Sequence, residues 1–148
     1  MKRTDLYFAL VMLAIFLPFF ISSELYLWYK TFNADHPMVM AFLKFAILST
    51  LGEMLGCRIS TGSYTTPTFG VVPRMVVWGI LGMAISMAMT VFSAGIPAFI
   101  TNMGGGALVA DFLSEGVSWG KFVVALAISV MMNTFFAPVF MTFHKITD

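Results

Sequence analysis

Four apolar runs, each about 20 residues long, punctuate this chain at 6–28, 38–57, 75–96 and 122–143. A helix of that length rises about 30 Å, the thickness of a bilayer's hydrocarbon core. None of the runs alternates apolar and polar residues, so none reads as a half-buried strand. Helices also close their backbone hydrogen bonds internally, as lipid requires. The expected fold is therefore all-α, a multi-pass transmembrane bundle of about four helices. It is expected to form a single domain over residues 1–148.

Composition excludes a soluble globule. Hydrophobic residues make up 59% of the chain and charged residues 10%, where a soluble domain carries about a quarter charged residues. So few charges cannot cover a globule with polar surface, and the first partner is the lipid bilayer. A net charge of +1 gives no electrostatic reason to bind nucleic acid, and no nucleic-acid partner is expected. Cys57 is the single cysteine, so no internal disulfide can form. It reads as a small apolar residue at a helix end rather than a reactive thiol.

The breaks between runs carry turn chemistry. Asn33-Ala34-Asp35-His36-Pro37 separates the first two. Asp35 is expected to cap a helix starting near Pro37. Residues 58–73 are rich in Ser, Thr, Gly and Pro and predict a loop. The third break holds Pro97 and Gly104-Gly105-Gly106 and extends towards Lys121, with a short interfacial helix predicted at 107–113. Pro18 is expected to kink the first helix. Lys2, Arg3 and Ser22-Ser23 also fit a cleaved signal peptide. The run continues through Tyr26, Trp28 and Tyr29, however, an aromatic belt suited to a retained helix.

If all four runs cross the membrane, the N-terminus, second loop and C-terminus share one side. That side holds Lys2, Arg3, Arg58, Arg74 and Lys145, against Lys30 and Lys121 on the other. The imbalance predicts both termini on the cytoplasm-like side, in the inner membrane of a bacterium or an organellar membrane of a eukaryote. Trp119 then anchors at the outer interface and Trp78 near the inner one.

Two ionisable residues fall inside the second run, Lys44 and Glu53. Each costs about 2.5–3.5 kcal/mol on insertion scales. Their nine-residue spacing puts them on opposite helix faces, so they cannot pair with each other. Lys44 has two open readings: its long stem snorkels to the interface, or it faces a cavity. Glu53 is too short to snorkel as far and must face protein or a water-filled path. Arg74 opens the next helix from the same side and near the same depth. It is the expected ion-pair partner, because a facing guanidinium keeps the carboxylate ionised.

Ser49, Gly52 and Gly56 give the Glu53 helix a small-residue face, expected to pack against another helix. Gly79 and Gly82 lighten the third run in the same way. No catalytic constellation groups Ser, His and Asp. His36 and His144 are expected near opposite faces, and neither has a second metal ligand at helical spacing. Gly104-Gly105-Gly106 lacks the lysine and the strand-to-helix context of a phosphate loop and reads as a flexible turn. No enzyme activity, catalytic residue, metal or cofactor is expected.

The stretch from His36-Pro37 through an apolar run to Leu51-Gly52-Glu53 resembles the first membrane helix of the twenty-two-kilodalton peroxisomal membrane protein (Mpv-seventeen) family. Arg74 and Gly79 resemble the Arg and Gly that open that family's next helix, and Phe136-Ala137-Pro138 its Phe-x-Pro signature. The resemblance covers residues 35–140. Glu53 replaces the family's Asp, the following Gln is absent, and 83–93 lacks its Gly-Pro and Trp-Tyr. The resemblance implies a divergent or truncated multi-pass organellar membrane protein, in a family some of whose members are thought to form channels. Two functions are expected from all of this. One is a small pore or transport-type protein, alone or as a homo-oligomer. The other is a non-transporting scaffold or accessory subunit bound to a membrane-protein partner.

Overall fold

A computed structural model describes residues 3–147, and these form helices with no strand among them. They are α1 (Arg3–Ile21), α2 (Ser23–Asp35), α3 (Pro37–Thr61), α4 (Val71–Ile100), α5 (Gly106–Leu113), α6 (Trp119–Met131) and α7 (Ala137–Thr147). A five-residue π turn joins α4 to α5 at Thr101–Gly105, and another joins α6 to α7 at Met132–Phe136. Four segments are long and apolar enough to cross a membrane: Arg3–Ile21, Pro37–Thr61, Val71–Leu113 and Trp119–Thr147. The all-α, four-span architecture is as expected. The chain divides into two compact units, Met1–Met40 and Ala41–Asp148, each described by itself. Lys2, one of the cations in the orientation argument, lies outside the described residues.

In the first unit, the expected single helix over 6–28 is two helices, broken at Ser22, four residues after Pro18. Pro18 has no N–H to donate, yet its carbonyl still accepts from Ser22 N at 2.9 Å, so α1 survives to Ile21. Ser22 then turns extended (φ −106°, ψ 107°), and its hydroxyl accepts from Leu25 N at 3.2 Å. That is an N-cap, with Glu24 favourably placed in the first turn of α2. Phe19 and Tyr29 meet edge-to-face at 5.4 Å. Ten residues of straight helix would separate them by about 15 Å along the axis, so the chain bends at Ser22. Tyr26 and Trp28 accordingly lie on α2, outside the membrane-length helix.

Asp35 is the last residue of α2 and not the cap of α3; His36 takes that place. His36 N donates to Phe32 O at 2.9 Å, closing α2, while His36 O accepts from Met40 N at 3.0 Å, opening α3. Pro37 explains both halves of the junction. A residue before proline is pushed out of helical geometry, and proline suits the first helical position.

In the second unit, α3 runs on through Arg58 to Thr61, and the expected loop over 58–73 shrinks to 62–70. Ser60 Oγ donates to Gly56 O (3.0 Å) and Thr61 Oγ1 to Cys57 O (2.8 Å), so the hydroxyls bind the helix instead of breaking it. Gly62, at φ 78°, ends the helix, and Gly62 N donates to Arg58 O. Pro73 falls in the first turn of α4, where an N–H has no helical partner to lose.

Pro97 does not end α4, which continues to Ile100; Thr101 Oγ1 donates to Pro97 O at 2.9 Å. The chain kinks instead at Gly104, whose φ of 91° only glycine adopts readily. The short helix predicted at 107–113 appears as α5. The π turn before α7 has a proline cause too. Pro138 offers no N–H to Thr134 O and its ring would clash with that carbonyl. The ladder widens, Ala137 N reaches back five residues to Met132 O, and Thr134 Oγ1 donates to Val130 O at 2.8 Å.

The core of this unit is small. Ala41, Ala46 and Thr50 of α3, Leu81 and Ala88 of α4, and Val124 of α6 are buried. Close approach of α3 and α4 depends on Gly79 and Gly82. A Cβ at Gly79 would overlap the Phe42 ring, and one at Gly82 would overlap Phe45. Gly52 and Gly56 were the expected packing glycines, but both are exposed with nothing within 4 Å of an added Cβ. Within the chain the small-residue contact therefore belongs to α4. At the far end, α5 folds against α6. Asp111 Oδ2 accepts from Gly120 N at 2.6 Å and Ser118 Oγ from Lys121 N at 3.2 Å, so two side chains cap α6.

Candidate functional site

One end of the second unit gathers the C-terminal turns of α3, the first turn of α4 and the last turns of α7 around a cleft of about 200 Å³. Arg74 Nη1 donates to Glu53 Oε2 at 2.5 Å, the ion pair expected from their common depth. His144 approaches the other carboxylate oxygen, with Nε2 at 3.9 Å from Oε1. Glu53, Arg74 and His144 keep 20, 25 and 21% of their side-chain surface exposed. The three groups are therefore shielded by protein yet open to the cleft.

Each member is held from behind. Arg74 Nε donates to Phe69 O at 2.8 Å, and the guanidinium carbon lies 4.6 Å from the Phe69 ring centroid. Buried Phe69 thus offers a carbonyl and a π face, the latter worth about 0.5–1 kcal/mol at such a site. A proline three residues into α4 and the loop glycine Gly70 (φ 51°) bring that carbonyl over the helix start. His144 stacks obliquely on Trp78, ring centroids 4.6 Å apart, and Trp78 in turn meets Phe140 at 6.5 Å. The Nδ1 atom of His144 is buried with no hydrogen-bond partner. Thr68 and Thr147 add hydroxyls to the cleft wall.

The arrangement combines a fixed cation, a carboxylate and an imidazole in a recess small enough for an ion or a small polar molecule. The Glu53–His144 distance is too long for a direct hydrogen bond and short enough for an ion pair once the ring is protonated. Among the described residues no group of three His, Cys, Asp or Glu side chains is placed to hold a metal ion.

The structure thus brings Glu53 and Arg74 together and leaves Lys44 outside the cleft, half-buried farther along α3. Ser49 is half-buried, while Gly52 and Gly56 border open space. His144 and Trp78 line the cleft and were not among the site residues expected from the sequence. Their depth was the available signal, since the end of the last helix returns to the side where α3 ends and α4 begins. No family model, curated protein or solved structure matches this chain.

Proposed function

We propose that this is a small multi-pass membrane protein of pore or transport type, whose Glu53–Arg74–His144 cleft receives an ion or small polar solute at one face of the bilayer. The observation that carries this reading is the cleft itself. Two formal charges and an imidazole are kept partly exposed there, in a chain with 10% charged residues. A purely structural pair has no need of a recess beside it. The resemblance to the Mpv-seventeen family, carried by Leu51-Gly52-Glu53 and Arg74, points the same way. The reading is non-enzymatic. Its support is that the three ionisable groups face one another across the cleft.

In this reading both termini lie on the cytoplasm-like side, in the inner membrane of a bacterium or an organellar membrane of a eukaryote. The test is flux through proteoliposomes of purified protein. His144→Gln keeps the Glu53–Arg74 ion pair and removes the imidazole ring. It is expected to change the rate or ion preference at least several-fold without altering thermal stability. Identical flux in the parent, His144→Gln and protein-free vesicles would remove the transport reading. A scaffold or accessory-subunit role is the second reading, favoured by the open face at Gly52 and Gly56, which another membrane protein could occupy.

A further inference from the structure

Asn133 is the midpoint of the last membrane-length segment, Trp119–Thr147. Lys121 and Lys145 flank it twelve residues away on either side. Twelve residues of helix rise about 18 Å, and half a hydrocarbon core is about 15 Å. With both ammonium groups among the headgroups, Asn133 sits near the bilayer midplane. Yet it lies on the exposed surface, with Ser129 one turn before it and Thr134 beside it.

Its carboxamide is only partly satisfied. Nδ2 donates to Ser129 O at 2.8 Å, which also fixes which terminal atom is nitrogen. A second N–H and the carbonyl oxygen remain. Among the described residues nothing meets either, whereas the neighbouring Thr134 hydroxyl is used on Val130 O. In water this would mean nothing. In hydrocarbon an unpaired amide is costly, and interhelical hydrogen bonds are the usual remedy.

We infer that this chain self-associates in the membrane through the α6–α7 face around Asn133, whose carboxamide pairs with the same carboxamide of a second copy. The chemistry selects that occupant. A carboxamide carries a donor and an acceptor side by side, so two of them across a two-fold axis satisfy each other with two N–H···O bonds. A carboxylate or an ammonium could not pair with its own image. Val130 and Leu126, one and two turns before Asn133 on its own side of the helix and 53 and 49% exposed, supply an apolar collar that would close around the pair. The inference depends on the chain spanning a bilayer and not on what the Glu53 cleft binds.

The test uses full-length protein carrying Cys57→Ser, reconstituted in phosphatidylcholine vesicles, with Val130→Cys as the only thiol. Mild oxidation is expected to yield a species of doubled mass. Adding Asn133→Leu is expected to weaken association about tenfold in dissociation constant, read by diluting the protein in lipid. Asn133→Gln, which keeps the amide, is expected to restore most of it. Absence of the doubled species with Asn133 intact overturns the proposal, and that arm needs no variant at Asn133 to fold. Equal cross-linking in Asn133→Leu overturns it as well.

Discussion

Glu53 and Arg74 hold each other at the end of a hydrophobic segment, where neither would be stable alone. Removing one partner leaves a shielded charge without compensation, and that loss exceeds the worth of the pair itself. Because both side chains stay a fifth to a quarter exposed, the loss is expected below the range of about 3–5 kcal/mol for a fully buried pair, at about 1–3 kcal/mol. Glu53→Gln and Arg74→Gln should each lower the unfolding free energy in detergent by that amount. The double variant should recover part of it. Strictly additive losses would show that the two side chains do not act as a pair. The sequence made this contact legible through depth alone: Glu53 lies near the end of one helix and Arg74 at the start of the next. Sequence reasoning did not reach Phe69, because a buried loop aromatic that lends its carbonyl to a guanidinium leaves no periodic trace.

At the scale of elements, hydropathy located the four spans and polar residues misplaced their ends. Ser60 and Thr61 read as loop because hydroxyls favour turns, yet here they bond to carbonyls one turn back and extend α3. Ser22 fell inside the apolar run at 6–28, yet it caps a new helix. Among the glycines, Gly52 and Gly56 have the familiar spacing, but within the chain Gly79 and Gly82 have the contact. Gly82→Ala would press on Phe45 at its Cβ and Cγ, which cannot swing away, and should cost about 1–3 kcal/mol. Gly79→Ala meets only the outer edge of the Phe42 ring, which can rotate, and should cost less. Gly52→Ala and Gly56→Ala meet nothing and should be neutral or mildly stabilising in monomeric protein, through helix propensity. Denaturation of the four variants side by side checks the ranking, and a loss at Gly52 equal to that at Gly82 would refute it.

For the whole molecule, the ion pair places the end of α3 and the start of α4 at one face, and His144 brings the end of α7 to the same face. A fourth crossing by α1 is the proposed topology, and it is expected to put the N-terminal end on that side too. In a Cys57→Ser background, single cysteines at Thr4 and Thr147 should therefore label from the same side of sealed vesicles, and opposite labelling would refute a fourth crossing by α1. The number of membrane-length helices was readable from the four runs. The meeting of His144 with Glu53 was not, and the π turn at Met132–Phe136 is the reason. Counting 100° per residue, His144 would stand about 200° around an unbroken helix from buried Val124, nearly on its far side. A π turn absorbs one extra residue and brings that angle down to about 100°. Pro138 thereby acts as a phase correction: a ring that disturbs one carbonyl rotates everything downstream, and the imidazole six residues later faces the carboxylate instead of the outside of the bundle.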